Sequence, residues 1–395
     1  MMTESGDLVN SEATTLLSEL VAIPSVNPRG EALPAETPLA QHIADWCAAQ
    51  GIEAVLSPVL DGRSNVVATV PGRDPSTAVL FESHLDTVET EHMSTPPFTP
   101  TVRDGRLYAR GACDAKGPLA AFLTALRDVA HAPEPPPSTV IVAAVVDEEH
   151  AYRGVLQLLE DLGGGPAKVR GAVIGEPTDL RAVVAHKGVM RCRIVAEGPG
   201  GHSSRPWGIE NPIETVARVI SYLAEEITPE LDGHTHPLVG PASLVPSLIS
   251  GGTGPNTVPN QCAVSLDRRT LPGEDPQQVW RELHDRVKAQ FGSSVTVEPP
   301  FLTDLALDND PRDPFLAGVC AELGSAGHDP APIGTGWGSD ASKIAAAGIP
   351  ALVMGPGSIT DAHTPDESID LTELARAVDI ARAVMFRPVQ TPQEV

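Results

Sequence analysis

Residues 139–149 read TVIVAAVVDEE, and this stretch decides the fold. Thr139 to Val146 is apolar on both faces, so neither side of such a strand tolerates water, as in the middle of a parallel sheet. The run then stops abruptly at three carboxylates. Three further segments share the design. Ala78-Val79-Leu80-Phe81 leads into ESHLD, Gly171 to Gly175 (GAVIG) into EP, and Ile349 to Met354 (IPALVM) into GPG and then DAHTPDE. Helical spacing appears between them, near 117–130, 152–162 and 340–347, with a last helix near 371–386. Earlier helices are expected over Leu16 to Val21, stopped by Pro24, and from Pro38 to Gln50, with short β segments at 53–58 and 65–70. Strands alternating with helices predict an α/β fold with a mostly parallel sheet flanked by helices. In such sheets ligands bind beyond the carboxyl ends of the strands.

The pattern changes between about 189 and 299. Val189 to Val195 (VMRCRIV) and Thr257 to Leu266 alternate like half-exposed strands, separated by a helix near 211–226 and followed by one over 276–291. This predicts an inserted, smaller α+β domain over 189–299, with 1–188 and 300–395 forming the first domain.

Composition excludes several classes. Of 395 residues, 27 are Lys or Arg and 52 Asp or Glu, a formal charge of −25. A field of that sign repels nucleic acid and anionic membranes, so neither is an expected partner. The opening residues, MMTESGDLVN, show no basic or apolar leader, and no apolar run reaches 18 residues. The five cysteines, Cys47, Cys113, Cys192, Cys262 and Cys320, form no CxxC pair. A thiolate metal site is thereby excluded, and free thiols in a reducing cytoplasm are expected.

The strand ends carry the chemistry. His84 and Asp86 stand in SHLD, Asp114 in GACDAKG, Glu148 and Glu149 in VDEEH, Glu176 in GEPTD and His363 in DAHTPDE. Each motif alone is commonplace; an acidic run after a strand often marks no more than a helix start. Together they offer imidazole and carboxylate without sulfur, a set that suits Zn2+, with Co2+ or Mn2+ as substitutes. Two histidines and three or four carboxylates exceed the needs of one catalytic zinc and match a two-metal site. Asp114 is short enough to bridge, with His84 and Glu176 on one ion and Glu149 and His363 on the other. Glu148 is the expected general base, and Asp86 the acceptor for the second ring nitrogen of His84. The sequence holds no GxSxG elbow for a serine nucleophile.

The ordered series SHLDTV, GACDAKG, VDEEH, GEPTD, GPGGHSSRP and DAHTPDE resembles the di-zinc acetylornithine deacetylase/succinyl-diaminopimelate desuccinylase/glutamate carboxypeptidase family. The likeness runs from IPSVNP at 23–28 to His363. It implies an α/β catalytic domain, an inserted lid that makes a homodimer, and the ligand, base and orienting roles just named. It also implies a cis peptide at Asp114-Ala115. His202 in GPGGHSSRP is similar to a family histidine that polarises the scissile carbonyl, often from the partner subunit. Asn256 in GGTGPNTVPN and Arg269 in LDRRTLPG are similar to residues that contact substrate, Arg269 through a carboxylate. Gly338, Ser339 and Asp340 in WGSDAS resemble a loop near the substrate.

Glu89 stands where the family commonly has Pro, and Asp114-Ala115-Lys116-Gly117-Pro118 where it commonly reads DMKGG. These departures bear on the substrate and remove no ligand. The activity implied is metal-dependent hydrolysis of an N-acyl-L-amino acid, a small-molecule substrate. A dipeptidase or carboxypeptidase of the same family is the alternative, and a metal-dead binding protein the remote one.

Overall fold

The computed structural model describes residues 8, 11–29, 35–165 and 167–389. Most of the opening stretch MMTESGDLVN lies outside them. Two compact units emerge, residues 1–184 with 309–333 and 339–395, and residues 185–308 with 334–338.

In the first unit the elements are α1 (Glu12–Ala22), α2 (Thr37–Ala49), β1 (Glu53–Leu60), β2 (Arg63–Val70), β3 (Asp74–His84), α3 (Lys116–Ala130), β4 (Ser138–Val145) and α4 (Arg153–Gly163). They continue with β5 (Lys168–Ile174), α5 (Pro314–Ser325), α6 (Ala341–Ala346), β6 (Ala351–Val353) and α7 (Leu371–Met385). The strand order is β1-β2-β4-β3-β5-β6. The four strands β4, β3, β5 and β6 run parallel, whereas β1 and β2 join antiparallel at the side of β4. β4 is buried along its whole length, as its sequence requires. Alternate residues divide between two layers. Val79, Phe81, Val140, Val142 and Val173 pack with α1, α2, α3, α5 and α7 in one core. Ala143, Val145, Ile174 and Val353 are buried as well, on strands contacted by α4 and α6. Phe81 meets Phe122 edge-on at 5.1 Å between ring centres, a contact contributing roughly 0.5–1.5 kcal/mol beyond its buried area.

Caps and prolines define the helix boundaries. The Ser11 side chain accepts from the Thr14 amide to start α1, and Asp370 accepts from Thr372 and Glu373 to start α7. Pro314 opens α5 just after the Asp313 cap.

The second unit is a one-sided antiparallel sheet. Strand 188–197 lies beside 261–270, which lies beside 243–251; short strands 296–297 and 302–304 pair with the other edge of 188–197. Met190, Cys192, Ile194, Val264 and Leu266 point into a core closed by helices 212–222 and 276–291. The intervening residues, Arg191, Arg193, Ser265 and Asp267, stay half-exposed.

No helix among the described residues is long and apolar enough to cross a membrane.

Candidate metal centre

The parallel strands deliver their last residues to one place. β3 ends on His84, β4 is followed by Val146-Asp147-Glu148-Glu149, and β5 by Gly175-Glu176. The loop after β6 carries His363, and Asp114 precedes α3. Adjacent strands bring these groups together because their ends are in register: His84 pairs with Val145, and Glu82 with Ile174. Close approach is built into the backbone here. A side chain at Gly355 would meet the Glu176 carbonyl oxygen at 2.6 Å. Asp147 and His363 adopt left-handed backbone, which turns the chain sharply at both ligand loops. The Asp114-Ala115 bond is cis.

Two ligand triads result, His84-Asp114-Glu176 and Asp114-Glu149-His363, with Asp114 in both. Asp114 Oδ1 lies 3.0 Å from His84 Nε2, and Oδ2 lies 3.1 Å from His363 Nε2. Glu176 Oε1 is 3.7 Å from His84 Nε2, and Glu149 Oε1 is 3.0 Å from His363 Nε2. Ligand atoms around a tetrahedral ion with ~2 Å bonds stand roughly 3.3 Å apart, so these spacings are those of a coordination shell.

Protonation chemistry provides a stronger test of fit. His84 Nδ1 donates to the Asp86 backbone oxygen at 2.8 Å, which leaves the Nε2 lone pair of a neutral ring facing two carboxylates. That arrangement is repulsive unless a cation lies between. Without one, the groups strain against each other. Burial pushes the carboxyls of Glu149 and Glu176 up, and Asp114 adds repulsion to both. Burial would lower His84, yet the surrounding carboxylates lift it well above its usual range. Hydrogen bonds to Asp114 and Glu149 raise His363 to about 10. Burial opposes the ionisation of Asp114, but the two imidazoles outweigh it and hold the carboxyl low. Divalent cations would relieve all five groups at once.

Glu148 stands apart from the triads. Its carboxylate forms no hydrogen bond among the described residues, and burial pushes it up to about 8, with Glu149 adding repulsion and His84 opposing. Its amide and that of Glu149 both donate to the Asp86 carboxylate, at 3.1 Å each.

Asp86 and Ser339 are placed as follows. Asp86 orients His84 through its peptide oxygen, while its carboxylate sits 3.7 Å from the ring nitrogen and grips the 148–149 backbone. Ser339 is fully buried, its hydroxyl accepting from the Ala341 amide and its carbonyl from Ser342 and Lys343. Its side chain is closed into that turn. Asp340, beside it, is buried as well.

Supporting residues beyond the sequence reading complete the site. Glu367, inside the DAHTPDE motif, accepts from the amides of Cys113 and Asp114 and pairs with Arg110 at 2.5 Å. Asn27, in IPSVNP, donates to Asp86 and to the buried Asp147, which Arg63 and Arg153 also hold. Lys116, fully buried, donates to the carbonyls of Leu20 and Ile23. Burial brings this amine down to about 7.

The second unit carries the remaining candidates. His202 lies in a two-stranded ribbon opposite Thr257, and Asn256 directly precedes that second strand, its carbonyl accepting from the Ser203 amide at 3.0 Å. His202 Nδ1 accepts from the Ser204 amide, its ring exposed. Arg269 lies on strand 261–270, separate from that ribbon, and binds Asp267.

The sequence pattern of peptidase family M20/M25/M40 matches residues 80–387, more than three quarters of the chain. The chain belongs to this family. As an M20 protein it is a metallohydrolase acting on amide bonds. It is similar to a probable succinyl-diaminopimelate desuccinylase of Staphylococcus epidermidis, 27% identical over 95% of this chain and 98% of the relative. It is also similar to an acetylornithine deacetylase of Photorhabdus laumondii subsp. laumondii, 30% identical over 90% of this chain and 92% of the relative. Among solved structures, the aminopeptidase PepT of Bacillus cereus shares the M20 fold. The TM-score is 0.78 at 20% identity, covering 96% of this chain and 98% of that one.

Proposed function

We propose that this M20 hydrolase cleaves the amide bond of an N-acyl-L-amino acid, in the manner of an acetylornithine deacetylase or a succinyl-diaminopimelate desuccinylase, with two zinc ions. The observation that carries the reading is the division of Asp114 between two histidine–glutamate pairs. His84 and Glu176 would hold one ion and Glu149 and His363 the other, with Asp114 common to both; Co2+ or Mn2+ suits the same donors. When bound, such ions would supply Lewis acidity that lowers the pKa of a water toward 7.

The chain's own residues do the rest. Glu148 takes a proton from the attacking water as its oxygen bonds to the acyl carbon. As the C–N bond breaks, Glu148 returns that proton to the departing amine. His202 donates to the carbonyl oxygen as it gains negative charge. Arg269 holds the α-carboxylate and Asn256 contacts the substrate, so a local guanidinium captures an anion against an adverse global field.

Residues 1–188 and 300–395 would then form the catalytic domain, and 189–299 a lid through which the chain dimerises. The edge strand 243–251 supports the dimer: it exposes Val245, Leu248 and Ile249, with Leu248 64% exposed. Such an edge is a template for a second copy. Five buried, unpaired cysteines support a reducing, cytoplasmic setting.

Amine release from N-acetyl amino acids, N-succinyl amino acids and dipeptides, with apo protein and added zinc, tests the reading. Turnover of one N-acyl amino acid, abolished by a chelator, is expected. Turnover of dipeptides alone would replace it with a dipeptidase, and silence with two metals bound would remove the substrate class.

A further inference from the structure

Strand 261–270 places two arginines side by side, and alternation sends them to opposite faces. Arg268 is 4% exposed. It donates to Glu274 at 2.7 Å and to the Arg269 carbonyl, while Glu274 accepts from the Leu271 amide at 2.6 Å. This side of the strand pins the backbone of Arg269 in place. The other face carries Asp267 and Arg269, and directly across from Asp267 on strand 188–197 stands Arg191.

Asp267 divides its carboxylate between the two guanidiniums on that face. Its Oδ1 accepts from Arg269 Nε at 2.8 Å, and its Oδ2 from Arg191 Nε at 2.8 Å. Both arginines are held by the inner nitrogen. Among the described residues the terminal nitrogens of Arg269 have no hydrogen-bond partner, and its side chain is 30% exposed. A guanidinium fixed in this way can offer a ligand only its end-on pair of N–H groups, the edge that matches a carboxylate with two parallel bonds. Charge agrees. Two cations share one anion here, and Lys187 lies close enough to both Arg268 and Arg269 that, after burial, they depress its pKa. The locality is cationic in a chain whose formal charge is −25.

We propose that Asp267 is a positioning residue for substrate selection, fixing the Arg269 fork so that its terminal edge takes the α-carboxylate end-on. This rests on the reading of Arg269 given above. Asp267→Asn keeps the volume of this half-exposed side chain and one oxygen that can still accept from a guanidinium, so the substitution should leave the fold intact.

The test is calorimetric binding of N-acetyl-L-ornithine and of its α-carboxamide to the full-length, zinc-loaded protein, with Glu148→Ala present throughout to prevent turnover, comparing the chain otherwise wild type with Asp267→Asn and Arg269→Ala. Wild type should prefer the carboxylate. Asp267→Asn should lose about ten-fold of that preference by weakening the carboxylate ligand alone, since a freed guanidinium samples other rotamers. Arg269→Ala should abolish the preference, and adding Asp267→Asn to it should change nothing further. A wild type that binds neither compound, or both equally, overturns the carboxylate reading and this inference with it. A wild-type preference lost in Arg269→Ala but kept in Asp267→Asn overturns the inference alone, as does equal weakening of both ligands in Asp267→Asn. Should Asp267→Asn fail to fold, Asp267→Glu keeps the charge, shifts the carboxylate by one methylene, and should reduce the preference in the same direction.

Discussion

Asp86 holds His84 with its peptide oxygen, 2.8 Å from Nδ1, and leaves its carboxylate 3.7 Å away. The carboxylate instead accepts from Asn27 and from the amides of Glu148 and Glu149. Asp86→Ala therefore keeps the tautomer of His84 and loosens the loop carrying the base. Turnover at saturating zinc should fall about 10- to 100-fold, the usual scale for loss of an outer-shell partner, with two zinc ions retained. Zinc content measured beside kcat checks this. Loss of zinc at unchanged kcat per loaded site would mean that the carboxylate, after all, serves the histidine.

Glu148 and Asp114 should fail in different ways. Glu148 touches no member of either triad through a hydrogen bond, so Glu148→Ala should retain both metals and lose about 10²- to 10⁴-fold in turnover. Asp114 belongs to both triads, so Asp114→Ala should lose metal as well as turnover. Metal stoichiometry by mass spectrometry separates the two. A Glu148→Ala enzyme near the wild-type rate would remove the base assignment.

The pattern of residues made the strands legible and left the rotamers hidden. TVIVAAVV reads as a strand buried on both faces because it is short, rich in β-branched residues and without polar alternation, which places the acids that follow it beyond the sheet. Whether Asp86 uses its carboxylate or its carbonyl depends on Asn27, 59 residues earlier, and on which amides turn toward it. The burial of Ser339 in the turn that starts α6 is likewise not written in WGSDAS itself. Glu367 was visible in the sequence, four residues after His363, but its hold on the Asp114 amide exists only once chain segments 253 residues apart meet. The antiparallel approach of β1 and β2 likewise follows from packing, because short amphipathic strands do not state their direction.

Glu36 and Arg63 form a buried ion pair beneath the site, through Arg63 Nε to Glu36 Oε2 at 2.6 Å, and Arg63 also reaches Asp147 at 3.2 Å. Burial raises the Glu36 carboxyl above its usual 4.5 even though the hydrogen bond from Arg63 opposes it. Arg63→Met strands that carboxylate and should cost about 3–5 kcal/mol. The sign of the pH dependence follows. A folded-state pKa above the unfolded value means the folded chain holds more protons between the two, so stability falls as pH rises through that window. The variant should thus recover part of its loss, relative to wild type, on acidification from neutrality toward pH 5. Adding Glu36→Leu should restore most of the stability at neutral pH. Thermal melts across pH check both; a pH-independent loss would show that Glu36 is not the stranded charge.

The edge strand 243–251 gives the quaternary proposal its sharpest test. Val245, Leu248 and Ile249 are all more than half exposed on a strand whose one pairing, among the described residues, is with 261–270. Protein edges of this kind are normally blunted by charge. Leu248→Asp supplies such a charge where it can disturb only a neighbouring copy, so the subunit should stay folded and load zinc as before. Light scattering should show a dimer for wild type and a 41.3-kDa chain for the variant. If His202 acts from the partner subunit, the monomeric variant loses turnover while keeping both metals, and mixing it with Glu148→Ala chains restores nothing unless they pair. A wild type that is already monomeric and fully active would remove both the dimer and any role for His202 across it.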